Sequence, residues 1–215
     1  MLGPMDALLI DMDGTIVDSE PYWIRTEHEL VEDFGGTWGA DDAHSIVGFD
    51  LLDAAVELRD RGGVELEPPV IVERLLDGVI DKCGERLLWR PGARDLLVEV
   101  REAGIPCVLV TMSWRRFADA VIDAAPDGVF VGSITGDEVT HGKPAPDPYL
   151  AAAELVGVDP GRCVAIEDSP TGVASALAAG CRTVAVPHVV DVEARPGLTV
   201  WPTLDGRHLD DLLAL

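Results

Sequence analysis

Asp11 and Asp13 stand one residue apart at the end of the apolar run 7–10 and are followed by Gly14 and Thr15. Such a run reads as a buried strand, and a strand ending in Asp-x-Asp-Gly sends two carboxylates out at its C-terminal end, where open α/β sheets build their sites. Paired negative charges there call for a cation, and they suit a nucleophile and an acid/base group beside a bound metal. Three further polar signals stand at, or just beyond, the ends of later apolar runs: Thr111-Met112-Ser113, Gly142-Lys143-Pro144 and Glu167-Asp168-Ser169. In a doubly wound sheet these ends converge on one crevice, so residues far apart in sequence can surround one small anion.

The elements that must position them follow from the hydrophobic pattern. Apolar runs at 7–10, 107–110, 129–131, 163–166 and 183–186 predict strands, and helical patterns lie between the later ones, around Ala93 to Val100, Phe117 to Ile122, Tyr149 to Leu155 and Val173 to Ala179. Strands alternating with helices argue a doubly wound parallel α/β sheet with helices on both faces. Residues 19–88 break that alternation and are too long for a crossover connection. Trp23, Leu30 and Phe34 keep a helical spacing there, as do Val72, Leu75, Leu76, Val79, Ile80 and Cys83, so a helical domain of residues 19–88 is expected inside a core of 1–18 and 89–215. Gly35-Gly36, Gly62-Gly63 and Pro68-Pro69 would separate its helices.

Composition sets limits on partners. At 215 residues with 47% apolar content, the chain can form one large domain or a core with a smaller insertion. Lys and Arg number 16 against 39 Asp and Glu, a net charge of -23, which repels nucleic acid phosphates and anionic lipid; neither is an expected partner. The same field repels a phosphorylated small molecule, which must then be held by a local Lys and a metal ion. No apolar stretch approaches the roughly 20 residues of a membrane helix, and no basic leader precedes the first strand, so neither a membrane span nor a signal peptide is expected. Cys83, Cys107, Cys163 and Cys181 are widely spaced and read as reduced core thiols, which predicts a cytoplasmic protein.

The order D-M-D-G-T, T-M-S, G-K-P-A-P-D and E-D-S-P-T-G resembles the four motifs of the haloacid dehalogenase-like superfamily across essentially the whole chain, with a helical insertion placed as in members bearing a C1 cap. Asp18-Ser19-Glu20-Pro21-Tyr22-Trp23 further resembles the branch of small sugar-phosphate phosphatases related to β-phosphoglucomutase. The resemblance implies a Mg²⁺-dependent phosphatase acting on a small-molecule phosphate ester, with the main-chain carbonyl of Asp13 among the metal ligands. The residue chemistry gives matching roles. Asp11 is the candidate nucleophile that forms an aspartyl-phosphate. Mg²⁺, a hard ion, suits the side chains of Asp11 and Asp168, with Glu167 either ligating directly or orienting the ligands. Asp13 is the candidate general acid and base, Lys143 counters the charge of Asp11 and the phosphoryl oxygens, and Thr111 is placed to hold an equatorial oxygen through its hydroxyl and N–H. Gly14 lets the backbone turn and expose N–H groups to phosphate. A cap that opens for exchange and closes over the substrate would exclude water during transfer.

Other polar residues have structural readings. Asp147 before Pro148 is expected to cap a helix, as is Ser169 before Pro170. Ser113 either contacts phosphate beside Thr111 or caps the helix starting near Trp114, the latter being favoured. Glu20 either faces the substrate from the hinge or is an ordinary acidic first-turn residue. Trp23, Phe34 and Trp38 are expected in the core of the insertion, His141 beside the Gly142-Lys143-Pro144 motif reads as a loop residue rather than a catalyst, and His28, His44, His188 and His208 show no metal-binding spacing. The turn at Gly48-Phe49-Asp50 is the expected place for substrate selection. Among alternatives, a phosphomutase of that branch would carry a His where Trp23 stands. A dehalogenase has no use for Asp13, and a phosphonate hydrolase needs a Schiff-base lysine where the insertion has only the late Lys82. A phospho-accepting signalling module has no place for the long insertion.

Overall fold

The computed structural model describes residues 5–46, 49 and 51–215. Two compact units emerge, one of residues up to Asp18 and from Leu88 onward, the other Ser19–Leu87.

The first unit is built on strands β1 (Ala7–Ile10), β2 (Cys107–Val110), β3 (Gly132–Ile134), β4 (Cys163–Glu167), β5 (Arg182–Ala185) and β6 (Leu198–Val200). They form one parallel sheet in the order β3-β2-β1-β4-β5-β6. In this doubly wound order the chain reverses direction across the sheet between β1 and β4, which opens a crevice beyond the carboxyl ends of those strands. The central strands read as continuous apolar runs because both faces are covered. Ala7, Leu9, Val108, Val110, Cys163 and Ala165 pack against Tyr149, Ala152 and Ala153 of one helix and Ala176 and Ala179 of another, and the alternate residues Leu8, Ile10, Leu109 and Ile166 are equally buried on the opposite face.

The second unit holds α1 (Glu20–Asp33), α2 (Ala40–Ser45), α3 (Leu51–Asp60) and α4 (Pro68–Glu85). Helix α4 buries Ile71, Val72, Leu75, Leu76, Val79 and Cys83, the stripe expected from their spacing. It packs on α1 at Gly78, where a β-carbon would lie 2.5 Å from the Thr26 methyl, so the approach of the two helices depends on glycine. The core unit resumes with α5 (Ala93–Glu102), α6 (Arg115–Ala124), α7 (Asp147–Val156), α8 (Pro170–Ala179) and α9 (Leu209–Leu213).

Several local expectations are corrected. The third strand lies at Gly132–Ile134, beyond the apolar run 129–131, and the fifth begins one residue earlier than its run. A sixth strand, Leu198–Val200, not among the five expected, is a short, half-exposed edge. Asp147 is the first residue of α7, with Pro146 at the cap position, and its carboxylate pairs with His141 rather than the helix end. Ser169 does cap α8, accepting from the Gly172 N–H at 3.1 Å. In the helical unit Trp38 is buried and Trp23 half-buried, but Phe34 follows the last turn of α1 and is exposed. Of the turn at Gly48-Phe49-Asp50, only exposed Phe49 is among the described residues. The four cysteines are buried and free, and no helix among the described residues is long and apolar enough to cross a membrane.

Candidate active site

Strand register carries the predicted residues to one place. Ile10 of β1 is paired with Ile166 of β4 and Leu109 of β2, so Asp11, Thr111, Glu167 and Asp168 leave the sheet at neighbouring strand ends. The Asp11 N–H still donates to the Ile166 carbonyl at 3.0 Å, which fixes its backbone. Its carboxylate is fixed as well. Oδ2 accepts from the Thr15 hydroxyl at 2.8 Å and Oδ1 from the Lys143 ammonium at 2.6 Å.

Lys143 reaches this point from the loop before α7. Its N–H donates to the Met112 thioether at 3.2 Å, and a β-carbon on Gly142 would come within 2.8 Å of the same sulfur, so only glycine lets the loop lie so close. The ammonium also donates to the Val110 carbonyl at 2.9 Å and meets Glu167 Oε1 at 2.6 Å. Burial works against the charge on Lys143, but Asp11 and Glu167 outweigh it and its pKa is raised.

Glu167 is wholly buried at the end of β4. Its Oε1 also accepts from the Tyr149 hydroxyl at 2.7 Å, and the carboxylate lies flat on Gly172, where a β-carbon would meet it at 2.0 Å. Burial and the charge of Asp11 raise its pKa, against the pull of Lys143 and Tyr149. Asp168 is raised too, by burial, then Asp11 and Glu167. One ammonium thus faces several acids, and the surplus negative charge is what a divalent cation would neutralise. Asp11, Glu167 and Asp168 each offer an oxygen within 4.8 Å of one another. Three hard oxygen donors fit Mg²⁺ better than a softer metal.

The Asp13 carboxylate takes a different set of partners. Its Oδ2 accepts from the Ser113 hydroxyl at 2.7 Å and from the Thr111 hydroxyl at 3.2 Å. Three sequence expectations change here. Ser113 does not cap α6, whose cap position is Trp114; its hydroxyl is spent on Asp13. The Thr111 N–H donates to the Ile134 carbonyl at 2.9 Å, continuing the sheet, so it does not hold a phosphoryl oxygen. Gly14 does turn the chain with φ +79°, but its N–H donates inward to Val17 at 2.8 Å. The requirement for glycine there is space: a β-carbon would sit 2.1 Å from Asp168 Oδ2.

Glu20 belongs to the helical unit, at the start of α1, where His44 lies 3.8 Å from its carboxylate. Two residues of the site escaped the sequence reading. Thr15 sits inside the first motif with nothing in its type or spacing to set its hydroxyl apart, and Tyr149 hides in the apolar pattern of α7.

Residues 5–180 match the family model described as haloacid dehalogenase-like hydrolase. Hexitol phosphatase A of Escherichia coli is 35% identical over 188 residues, covering 83% of this chain and 81% of that protein. A phosphorylated carbohydrates phosphatase of Thermotoga maritima is 30% identical, covering 82% of each. The crystal structure of CbbY from Rhodobacter sphaeroides in complex with phosphate superposes with a TM-score of 0.86 at 26% identity, covering 98% of this chain and all of that one.

Proposed function

The chain belongs to the haloacid dehalogenase-like hydrolase family, and we propose that it is a Mg²⁺-dependent phosphatase of small phosphorylated metabolites, of the sugar or polyol phosphate class. The observation that carries this reading is the Asp11 carboxylate, pinned by Thr15 and Lys143 beside two further acids at the strand ends. The names of the similar proteins, a hexitol phosphatase and a phosphorylated carbohydrates phosphatase, support the substrate class.

Asp11 attacks phosphorus, the ester P–O bond breaks, and Asp13 gives a proton to the departing alkoxide. The product is an aspartyl-phosphate. Asp13, now ionised, takes a proton from water as that water attacks the same phosphorus, which returns Asp11 and releases phosphate. Thr111 and Ser113 fix the Asp13 carboxyl through their hydroxyls. Lys143 places a buried positive charge against the nucleophile and the transferring group. Asp11 and Asp168, with Glu167 and the Asp13 carbonyl beside them, would hold Mg²⁺, which when bound supplies charge neutralisation for the nucleophile and the phosphoryl oxygens. Residues 19–88 are read as the cap that selects the leaving group.

The test is a panel of phosphate esters with Mg²⁺. The protein is expected to hydrolyse sugar or polyol phosphates, and Asp11→Asn is expected to lower turnover on the order of 10⁴-fold. Undiminished turnover by that variant would sink the mechanism.

A further inference from the structure

An ammonium has three N–H donors and no more. Those of Lys143 meet three acceptors, Asp11 Oδ1, Glu167 Oε1 and the Val110 carbonyl. If Lys143 binds the phosphoryl group, as the function proposed above requires, one of these contacts must be given up. The Val110 carbonyl closes a central strand, and Asp11 is the nucleophile, whose charge Lys143 must keep countering. Glu167 is the partner that can be released, but only if its own buried charge stays hydrogen-bonded.

Tyr149 meets that condition from two sides. Its hydroxyl already donates to the same Oε1 at 2.7 Å. Its ring lies under the ammonium, 5.4 Å from Nζ to the centroid, within range of a cation–π contact that does not fix the direction of the N–H bonds. The ring is wholly buried among Val108, Val110, Ala152 and Ala165, so it cannot drift as Lys143 turns. We propose that Tyr149 is a positioning residue of this site, its hydroxyl holding Glu167 while the Lys143 ammonium turns from that carboxylate to a phosphoryl oxygen.

The inference is tested by calorimetric titration of inorganic phosphate into the full chain with saturating Mg²⁺. Tyr149→Phe keeps the ring and removes only the hydroxyl, so Glu167 holds Lys143 more tightly and phosphate binding is expected to weaken roughly 10-fold. In a Glu167→Gln background the carboxylate no longer competes, and the same Tyr149→Phe change is expected to cost less than about twofold, a non-additivity that a purely structural role does not give. Val108→Ala, in the same apolar cluster, is the control for lost stability and should leave phosphate affinity unchanged. Equal losses in the two backgrounds, an unshifted affinity in Tyr149→Phe, or a Val108→Ala variant that reproduces the loss would each overturn the assignment. Because the readout is phosphate binding and not turnover, absence of esterase activity is a separate result that bears on the proposed function alone.

Discussion

Two buried glutamates, Glu167 in the core unit and Glu27 in the helical unit, are pushed the same way by burial and have opposite surroundings. Glu27 lies on α1 and has its pKa raised to about 7, by burial first, with the Trp38 indole at 3.2 Å opposing and Glu20 adding to the rise. An indole N–H is a single neutral donor, and it ties one helix to the segment that follows it. Glu167 is raised as well, but there the opposing groups are an ammonium and a phenol, and a second acid, Asp11, shares the ammonium. A shifted carboxylate therefore marks no function alone. What separates the two is whether the charge is coupled to a group that can do chemistry. Glu27 is coupled to packing, and Glu167 through Lys143 to Asp11, the proposed nucleophile.

The sharpest way to break that contrast is to remove the coupling group. Lys143→Met keeps much of the apolar stem and leaves Asp11 and Glu167 buried without their cation. Breaking a buried ion pair from one side costs about 3 kcal/mol or more, so urea denaturation at pH 7 should show a large loss, with turnover falling at least ~10³-fold. The loss should shrink as pH falls and the stranded acids take up protons.

A gentler comparison neutralises each glutamate in turn. The folded state holds the Glu27 proton more tightly than the unfolded chain, whose value is near 4.5. Its contribution is thus fully present below about 4.5 and is lost as pH rises through about 7. Glu27→Gln, which cannot ionise, should flatten this slope and stabilise the helical unit by up to ~3 kcal/mol above pH 8, with turnover within about twofold of wild type. Glu167→Gln should differ in its effect on activity, lowering turnover by roughly 10²-fold because Lys143 loses a charged partner. Thermal unfolding across pH and initial rates separate the two. Equal effects of the two changes on turnover would erase the distinction between packing and chemistry.

The same distinction explains what could be read from the sequence. Strands β1, β2 and β4 were legible because burial on both faces writes an unbroken apolar run, whereas β3 and β6 are short, half-exposed edges whose pairing depends on neighbours already in place. Asp11, Asp13, Lys143 and Asp168 stood out through the order of the four motifs that hold them, because singly a strand-end Asp also serves as a turn former or helix cap and a lone Lys as a surface residue. The expected uses of the Thr111 and Gly14 N–H groups failed for one physical reason: sheet and turn consumed those donors, and donor supply is a property of register, invisible in residue type. Tyr149 was illegible for a related one. Its ring satisfies the apolar stripe of α7, while its hydroxyl meets a carboxylate brought in by β4.

The smallest expected effect tests whether a single neutral donor matters differently in the two regions. Thr15 is buried and gives one hydroxyl to Asp11 Oδ2 at 2.8 Å, much as Trp38 gives one N–H to Glu27. Thr15→Val keeps the shape and removes the donor. A hydrogen bond to a charged group contributes roughly 1.5–3 kcal/mol, but here the loss falls on a carboxylate that keeps Lys143. Part of it should therefore appear as misorientation of the nucleophile, with kcat reduced about 10-fold and KM little changed. Thr15→Ser, which restores the hydroxyl without the methyl, should recover most of kcat. If serine recovers stability and leaves kcat low, the methyl packing of Thr15 orients Asp11, and the nucleophile then resembles Glu27 in being held by packing more than by its donors.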